Sequence, residues 1–338
     1  MSLRVPYIAL LIVLTAGWGN GLCGQDIHFG QFDQALWNYN PAAAADFSAS
    51  WRVGMHYRKQ WGSINKGYGT RALVAEKSFF RKRSNTNYLG VALNVAQDKR
   101  NLGSVSHFDG SGAVAWHLAT DRYNRLSMGL RIGYVQRSID FTGLAWDAQY
   151  DGVTYNAAAD NREQVASQSE SIFDAAFGFQ WWHSHDVQWK IGYARHHLGG
   201  RFDYLAGSQN QLSARHTLHG WLQQKTSILL FDYHLMVQRQ SGAMEITAGM
   251  IGSYRIGNDS RYTGIYASSS VQAGCYYRYG DAIIPTVGFE WQRNFALYLS
   301  YDITLSAWKK AVGIAGGPEF VLRYSGSNTK PVAKLSGS

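Results

Sequence analysis

From about residue 48 onward the chain repeats one pattern, with large apolar side chains at every second position over segments of roughly 9 to 14 residues. Leu89, Val91, Leu93 and Val95 alternate with Gly90, Ala92, Asn94 and Ala96. Leu126, Met128, Leu130, Ile132 and Tyr134 alternate with Ser127, Gly129, Arg131 and Gly133. Phe173, Ala175, Phe177, Phe179 and Trp181 alternate with Asp174, Ala176, Gly178 and Gln180, and Phe295, Leu297, Leu299 and Tyr301 with Ala296, Tyr298, Ser300 and Asp302. Successive side chains of a strand point to opposite faces. Each segment therefore carries one large apolar face and one small, polar or charged face.

A soluble sandwich and a membrane barrel share that period, so length must separate them. Soluble strands average roughly 5–6 residues, whereas about 9–11 are needed to cross a bilayer at a tilt. Fourteen candidate segments start near residues 48, 67, 87, 107, 125, 171, 187, 214, 226, 243, 264, 282, 294 and 314. An even number of antiparallel strands closes a barrel with both termini on the periplasmic side. The expected fold is all-β: a transmembrane antiparallel barrel of about 14 strands. Connections after odd strands are then expected to face outward and be long, and those after even strands to be short. The longest gaps, 138–170 and 196–213, follow the fifth and seventh segments, and 81–86, 120–124 and 183–186 follow even ones. The short Gln240–Gly242 link follows an odd segment and departs from the rule.

Composition agrees. Mean hydropathy is −0.26, as expected where lipid-facing and lumen-facing residues alternate and cancel. Aromatics make up 14%, with 36 Gly, only 5 Pro and 16% charged residues, which suits long strands with aromatic girdles at both membrane interfaces. The net charge of +9 comes from scattered Lys and Arg, not from one patch, which argues against nucleic acid. Anionic lipopolysaccharide headgroups or a positively lined lumen account for it better.

The first residues set the compartment. Arg4 precedes the apolar run Tyr7 to Ala16, which is too short to span a membrane and reads as a secretory signal ending before Gln25. The alternative is a lipoprotein acylated on Cys23, although the bulky Leu22 beside it is unusual for such signals. Loss of Cys23 would leave Cys275 alone and no disulfide framework. The expected organisation is a signal peptide over 1–24, an N-terminal periplasmic or plug segment over 25–47, a barrel over 48–324 and a polar tail over 325–338.

Gln25-Asp26, Phe29, Gln31-Phe32 and Asn40-Pro41-Ala42 open the stretch before the first segment, and Tyr57-Arg58 and Gln60-Trp61 follow. In this order the motifs resemble those of the PorP/SprF family, with Gly30 where the family often has Ser. Tyr57-Arg58 and Gln60-Trp61 match its Tyr-Arg-Asn-Gln-Trp. The stretch from Phe141 to Gly152, then Gly192 to Leu198, Leu299 to Ser306 and Gly316 to Tyr324 follow in the family's order. Asn101-Leu102-Gly103 is at most a degenerate version of a further family element. The resemblance implies an outer-membrane barrel of the type IX secretion system, which exports proteins and supports gliding in some species. It further implies periplasmic and outer-membrane secretion-system partners, or a secreted protein carrying a type B C-terminal sorting domain.

Catalytic and metal chemistry find little support. His183 and His185 share a strand parity but fall in a short expected turn with no third ligand nearby. No Gly-x-Ser-x-Gly elbow exists, and Asp109-Gly110-Ser111-Gly112 lacks a strand-to-helix context. No catalytic, cofactor or metal residue is assigned, and the chain is not expected to be an enzyme. The charges at inward parity are more informative: Arg131, Arg137, Asp174, Glu245, Asp302, Glu319 and Arg323. A cation facing lipid at the bilayer midplane costs about 2–4 kcal/mol, so these belong inside, packing a filled lumen or lining a selective pore. Gln25, Asp26, Phe29, Gln31, Phe32, Asn40, Pro41, Tyr57, Arg58, Gln60 and Trp61 are the partner-docking candidates. The competing reading makes Tyr57 to Trp61 an interface belt bonding a loop, and residues 25–47 a plug. The functional expectation is a non-enzymatic secretion component acting through protein contacts. The alternative is a small-solute channel.

Overall fold

The computed structural model describes residues 26–60, 67–81, 87–100, 105–140, 147–156, 159, 168–185, 187–199, 201–203, 209–211, 213–257, 268–306 and 315–326. The expected signal peptide, Cys23, Gln25, Trp61, Asn101 to Gly103 and the tail after Gly326 lie outside these residues.

Fourteen strands close one antiparallel barrel. They are β1 (Trp51–Gln60), β2 (Tyr68–Phe79), β3 (Tyr88–Arg100), β4 (Val105–Ala119), β5 (Asn124–Ile139), β6 (Gln168–Ser184) and β7 (Gln188–His196), then β10 (Arg215–Lys225), β11 (Leu229–Gln240), β12 (Ala243–Ile256), β13 (Ser269–Arg278), β14 (Ala282–Trp291), β15 (Phe295–Thr304) and β16 (Ala315–Gly326). Each pairs with its neighbour in sequence, and β1 pairs with β16 from Trp51↔Gly326 to Arg58↔Glu319, which leaves no free edge. The largest displacement from expectation is at β13, which starts at Ser269 instead of near 264.

The alternation sorts as hydrocarbon demands. Leu93 is 61% exposed, Leu130 66% and Ile132 69% on the outer face, while Ala92, Ala96, Asn94 and Ser127 are buried inside. Phe177 lies on the outer face in edge contact with Phe179 and Tyr193. Aromatic pairs mark both rims. Trp51–Tyr324 and Trp181–Trp189 lie toward the end where β1 starts, and Tyr57–Phe320 and Tyr134–Phe173 toward the other.

Three local differences from the sequence expectation have simple causes. The 197–214 connection carries a two-stranded hairpin, β8 (Arg201–Asp203) with β9 (Gln209–Gln211), too short and polar to show a period. The 257–268 connection is long although it follows an even strand, so loop length does not track barrel end strictly. β16 continues two residues past Tyr324, because Ser325 and Gly326 pair with Arg52 and Trp51.

Residues 26–46 lie within the barrel, and 47–50 lead from it to β1. Residues 26–46 contain a single-turn helix, α1 (Leu36–Tyr39), and a 3-10 turn, Pro41–Ala43. Phe29, Phe32, Trp37 and Tyr39 form the main core cluster together with Ala72, Val74, Met236, Ile251, Tyr276 and Ile284 of the wall. The apolar core is therefore the interface between this segment and the inner wall.

Candidate functional site: a lumen filled by the N-terminal segment

The segment begins at the barrel end from which the 140–167 and 197–214 connections leave. Asp26 is buried there. Its carboxylate lies 2.5 Å from His197 Nε2, 3.3 Å from Arg215 and 3.5 Å from Arg137. His197 Nδ1 faces Asp174 at 3.0 Å, so the imidazole is clamped between two carboxylates. Burial alone raises the Asp26 pKa, but His197 and Arg215 outweigh it and hold the carboxyl well below its ordinary value. Burial lowers the His197 pKa, and Asp26 and Asp174 more than reverse that, leaving it raised.

From Asp26 the chain crosses the inner face of β14–β16 and β1. Gly30 and Gln31 donate their backbone N–H groups to Glu319 at 2.7 and 3.1 Å, and the Gln31 side chain donates to Ser300 at 2.9 Å. Arg58 donates to the His28 carbonyl at 2.7 Å and to Asp302 at 2.6 Å. The segment turns at Asp33 and Gln34, which accept from Tyr276 (2.6 Å) and Arg323 (3.0 Å). It then climbs back, so that the carbonyls of Asn38 and Tyr39 meet Arg215 (2.9 Å) and His196 (3.0 Å).

The last pass, Asn40 to Asp46, rides on glycines. A Cβ on Gly129 would lie 2.3 Å from Ala42 N, one on Gly90 2.1 Å from Ala44 O, and one on Gly178 2.0 Å from Asn40 Oδ1. No side chain fits at those positions while the segment stays in place. Asn40 is fully buried. It caps the Pro41 turn by accepting from Ala42 N (2.9 Å), donates to the Phe179 carbonyl (3.0 Å) and contacts His219 (2.8 Å). Asp46 closes the pass, bonded to Lys190 (2.8 Å), Gln180 (2.7 Å) and Arg125.

The docking candidates Asp26, Phe29, Gln31, Phe32, Asn40 and Pro41 are all buried in the lumen. Tyr57 is half-buried on the outer face, and Gln60 ends β1. Arg58, in contrast, is 1% exposed and turned inward, neither a belt residue nor a loop partner, because strand parity places it with His56 against the segment. Of the charged set, Arg131 pairs with Asp109 at 2.5 Å and lies 4.0 Å from Asp174. Asp302 and Glu319 meet Arg58, Arg137 meets Asp26, Glu245 lies 3.9 Å from Arg278, and Arg323 lies 3.7 Å from Glu290. Sequence reasoning does not single out Asp46, His117 or Arg215, and it places Gly90, Gly129, Gly178 and the His196-His197 pair without indicating what packs on them. The signal that could point to this pass is the run of small residues Ala42 to Ala45 after Asn40-Pro41, which lets the backbone lie close against a wall.

Toward the end where β1 starts, the segment leaves a cavity of about 320 Å³ lined by Asp33, Lys190, Trp221, Asp232, His234 and Arg323. Among the described residues no group of three His, Cys, Asp or Glu side chains is arranged for a metal ion. His183 belongs to β6, not to a turn. It bonds Asn124 at 2.8 Å and stacks on Trp189. The Ser127–His117 contact (2.8 Å) resembles a nucleophile–base pair, yet both residues are buried and the second His117 nitrogen meets the Ala44 carbonyl at 2.9 Å. That imidazole serves packing.

Residues 22–324 match the family model described as type IX secretion system membrane protein PorP/SprF. No curated protein matches the chain. Among solved structures it is similar to BamA from Haemophilus ducreyi lacking POTRA domains 1–3, at 8% identity and TM-score 0.41, covering 82% of this chain and 70% of that one. It is also similar to the NanC porin, at 10% identity and TM-score 0.38, covering 82% and 99%. A third is the beta domain of the Bordetella autotransporter BrkA, at 14% identity and TM-score 0.36, covering 82% and 98%.

Proposed function

Because this chain belongs to the PorP/SprF family of type IX secretion system membrane proteins, we propose that it serves that system as a plugged outer-membrane barrel. It anchors or assists the export and surface attachment of other proteins through protein–protein contacts, without catalysis. Its partners are periplasmic and outer-membrane components of the system, and a secreted protein with a type B C-terminal sorting domain. Outer-membrane lipid and lipopolysaccharide surround it.

The observation that supports this reading is the unbroken set of contacts between residues 26–46 and the inner wall, from Asp26–His197 at one end to Asp46–Lys190 at the other. A lumen so filled offers no path for cargo, so the work falls to the surfaces: the turns at the end where β1 starts and the long connections at the other. The cavity of about 320 Å³ favours a second reading, a channel for small solutes, if the segment moves.

Affinity recovery from solubilised outer membranes tests the proposal. Co-recovery of secretion-system proteins with the full chain is expected, and their consistent failure to copurify contradicts it. Repeating the recovery without residues 25–45 assigns that segment. Loss of partners makes it a docking element, and unchanged recovery leaves it a plug.

A further inference from the structure

Two prolines flank one residue in the barrel wall. In the register of β15, Tyr301 pairs with Pro318 of β16. On its other side the β14–β15 ladder runs Ile283↔Ile303 and then Thr286↔Ser300, with Ile284 and Pro285 unpaired opposite Asp302 and Tyr301. Among the described residues every other wall ladder runs without an internal break, apart from the shift at Asp302/Ile303 in β15–β16. A strand residue directs its N–H and C=O to one neighbour, and that neighbour's N–H returns the bond. Whichever side Tyr301 faces, the returning residue is a proline without an N–H. Its carbonyl therefore has no ladder donor, on a strand whose outer face meets hydrocarbon, where such a loss is expensive. The Ile284 carbonyl accepts from the Thr286 hydroxyl at 3.3 Å. Asp302 Oδ1 is buried with no hydrogen-bond partner.

The N-terminal segment crosses the inside of this weak point. Gly30 packs so closely that a Cβ would lie 3.1 Å from both Asp302 Oδ1 and Glu319 Oε2 and 3.3 Å from Ile284. Gln31 bonds β15 through Ser300 and β16 through Glu319, and Arg58 ties β1 to Asp302 on β15 and to the His28 carbonyl. We propose that the wall between β14 and β15 is a lateral seam, able to part near Pro285 and Tyr301, and that residues 28–31 hold it shut from within. A partner that draws this stretch away would open the lumen sideways to the membrane at that level. The seam rests on the barrel register and not on the identity of any secretion partner.

Hydrogen exchange of the full chain in lipid nanodiscs tests this. Amides of 283, 284, 286, 287 and 299–304 are expected to exchange at least tenfold faster than amides of the unbroken β4–β5 pair at matched depth. Pro285→Thr, which restores the missing donor, is expected to slow them several-fold, and Glu319→Gln, which loosens the grip on Gly30 and Gln31, to quicken them. Equal protection in both pairs, or no response to Pro285→Thr, overturns the seam. A disulfide between Ile283→Cys and Ile303→Cys, which are registered partners, made with Cys275→Ser, provides the second measurement. It is expected to abolish the acceleration by Glu319→Gln. Acceleration that survives the disulfide means fraying elsewhere and also overturns it.

Discussion

The side-chain oxygen of Asn40 sits directly over the bare Cα of Gly178, where a Cβ would come within 2.0 Å of it. The plug and the wall are thus cut to each other at atomic range. A valine at Gly178 cannot be absorbed by side-chain rotation, since its neighbours include Pro41 Cδ at 3.0 Å. Gly178→Val is expected to lift the Asn40–Ala45 pass off the wall while the strands, held by lipid and register, persist. A cysteine at Ala43, 4% exposed in the wild type, reports this in a Cys275→Ser background. Its labelling by a water-soluble thiol reagent is expected to rise at least tenfold.

Asn40→Ala removes three hydrogen-bonding contacts and leaves His219 and the Ala42 N–H without that partner, while the Phe179 carbonyl stays in a registered wall strand. At about 1 kcal/mol per net hydrogen bond plus the desolvation of orphaned groups, the expected loss is about 2–4 kcal/mol. Denaturant midpoints in detergent micelles measure it.

Asp46 neutralises Arg125 and Lys190. Removing one partner of a buried pair costs about 3–5 kcal/mol, so Asp46→Asn is expected to destabilise the plug by that order. Burial alone raises the Asp46 pKa, but Lys190 and Arg125 drive it well below the usual carboxylate range. A depressed carboxylate contributes in full above its unfolded pKa of about 3.9 and loses that contribution as pH falls through the folded value. The Asp46 anchor is therefore expected to hold down to about pH 4 in thiol-accessibility titrations.

His197 behaves oppositely. Its raised pKa means a contribution complete below the unfolded value of about 6.5 and lost as pH rises through the folded one. Asp26, Asp174 and Arg215 are the charged groups around it. Nuclear magnetic resonance of histidine-labelled protein is expected to show the His197 imidazole titrating above about 6.5, and His197→Gln to remove that signal.

The barrel was legible because hydrocarbon on one side and a packed lumen on the other impose the period of two on every wall strand. Leu93 outward and Asn94 inward follow from parity alone. The same parity, carried through from Met55 and Tyr57, places Arg58 inside, whereas motif matching alone leaves it a docking candidate. The path of the plug was not legible. Its anchors join residues far apart in sequence, Asp26 with Arg215 or Gly30 with Glu319, and no local pattern encodes such pairs. The glycines Gly90, Gly129 and Gly178 stood at inward positions, but their partner, the Asn40–Ala45 stretch, has no period of its own.

Single-channel recording in planar bilayers tests the filled lumen most directly. The wild-type barrel is expected to stay closed, with steady openings appearing in Gly178→Val and after removal of residues 26–46. A steady open wild-type pore, equal in conductance to both altered forms, would contradict the account.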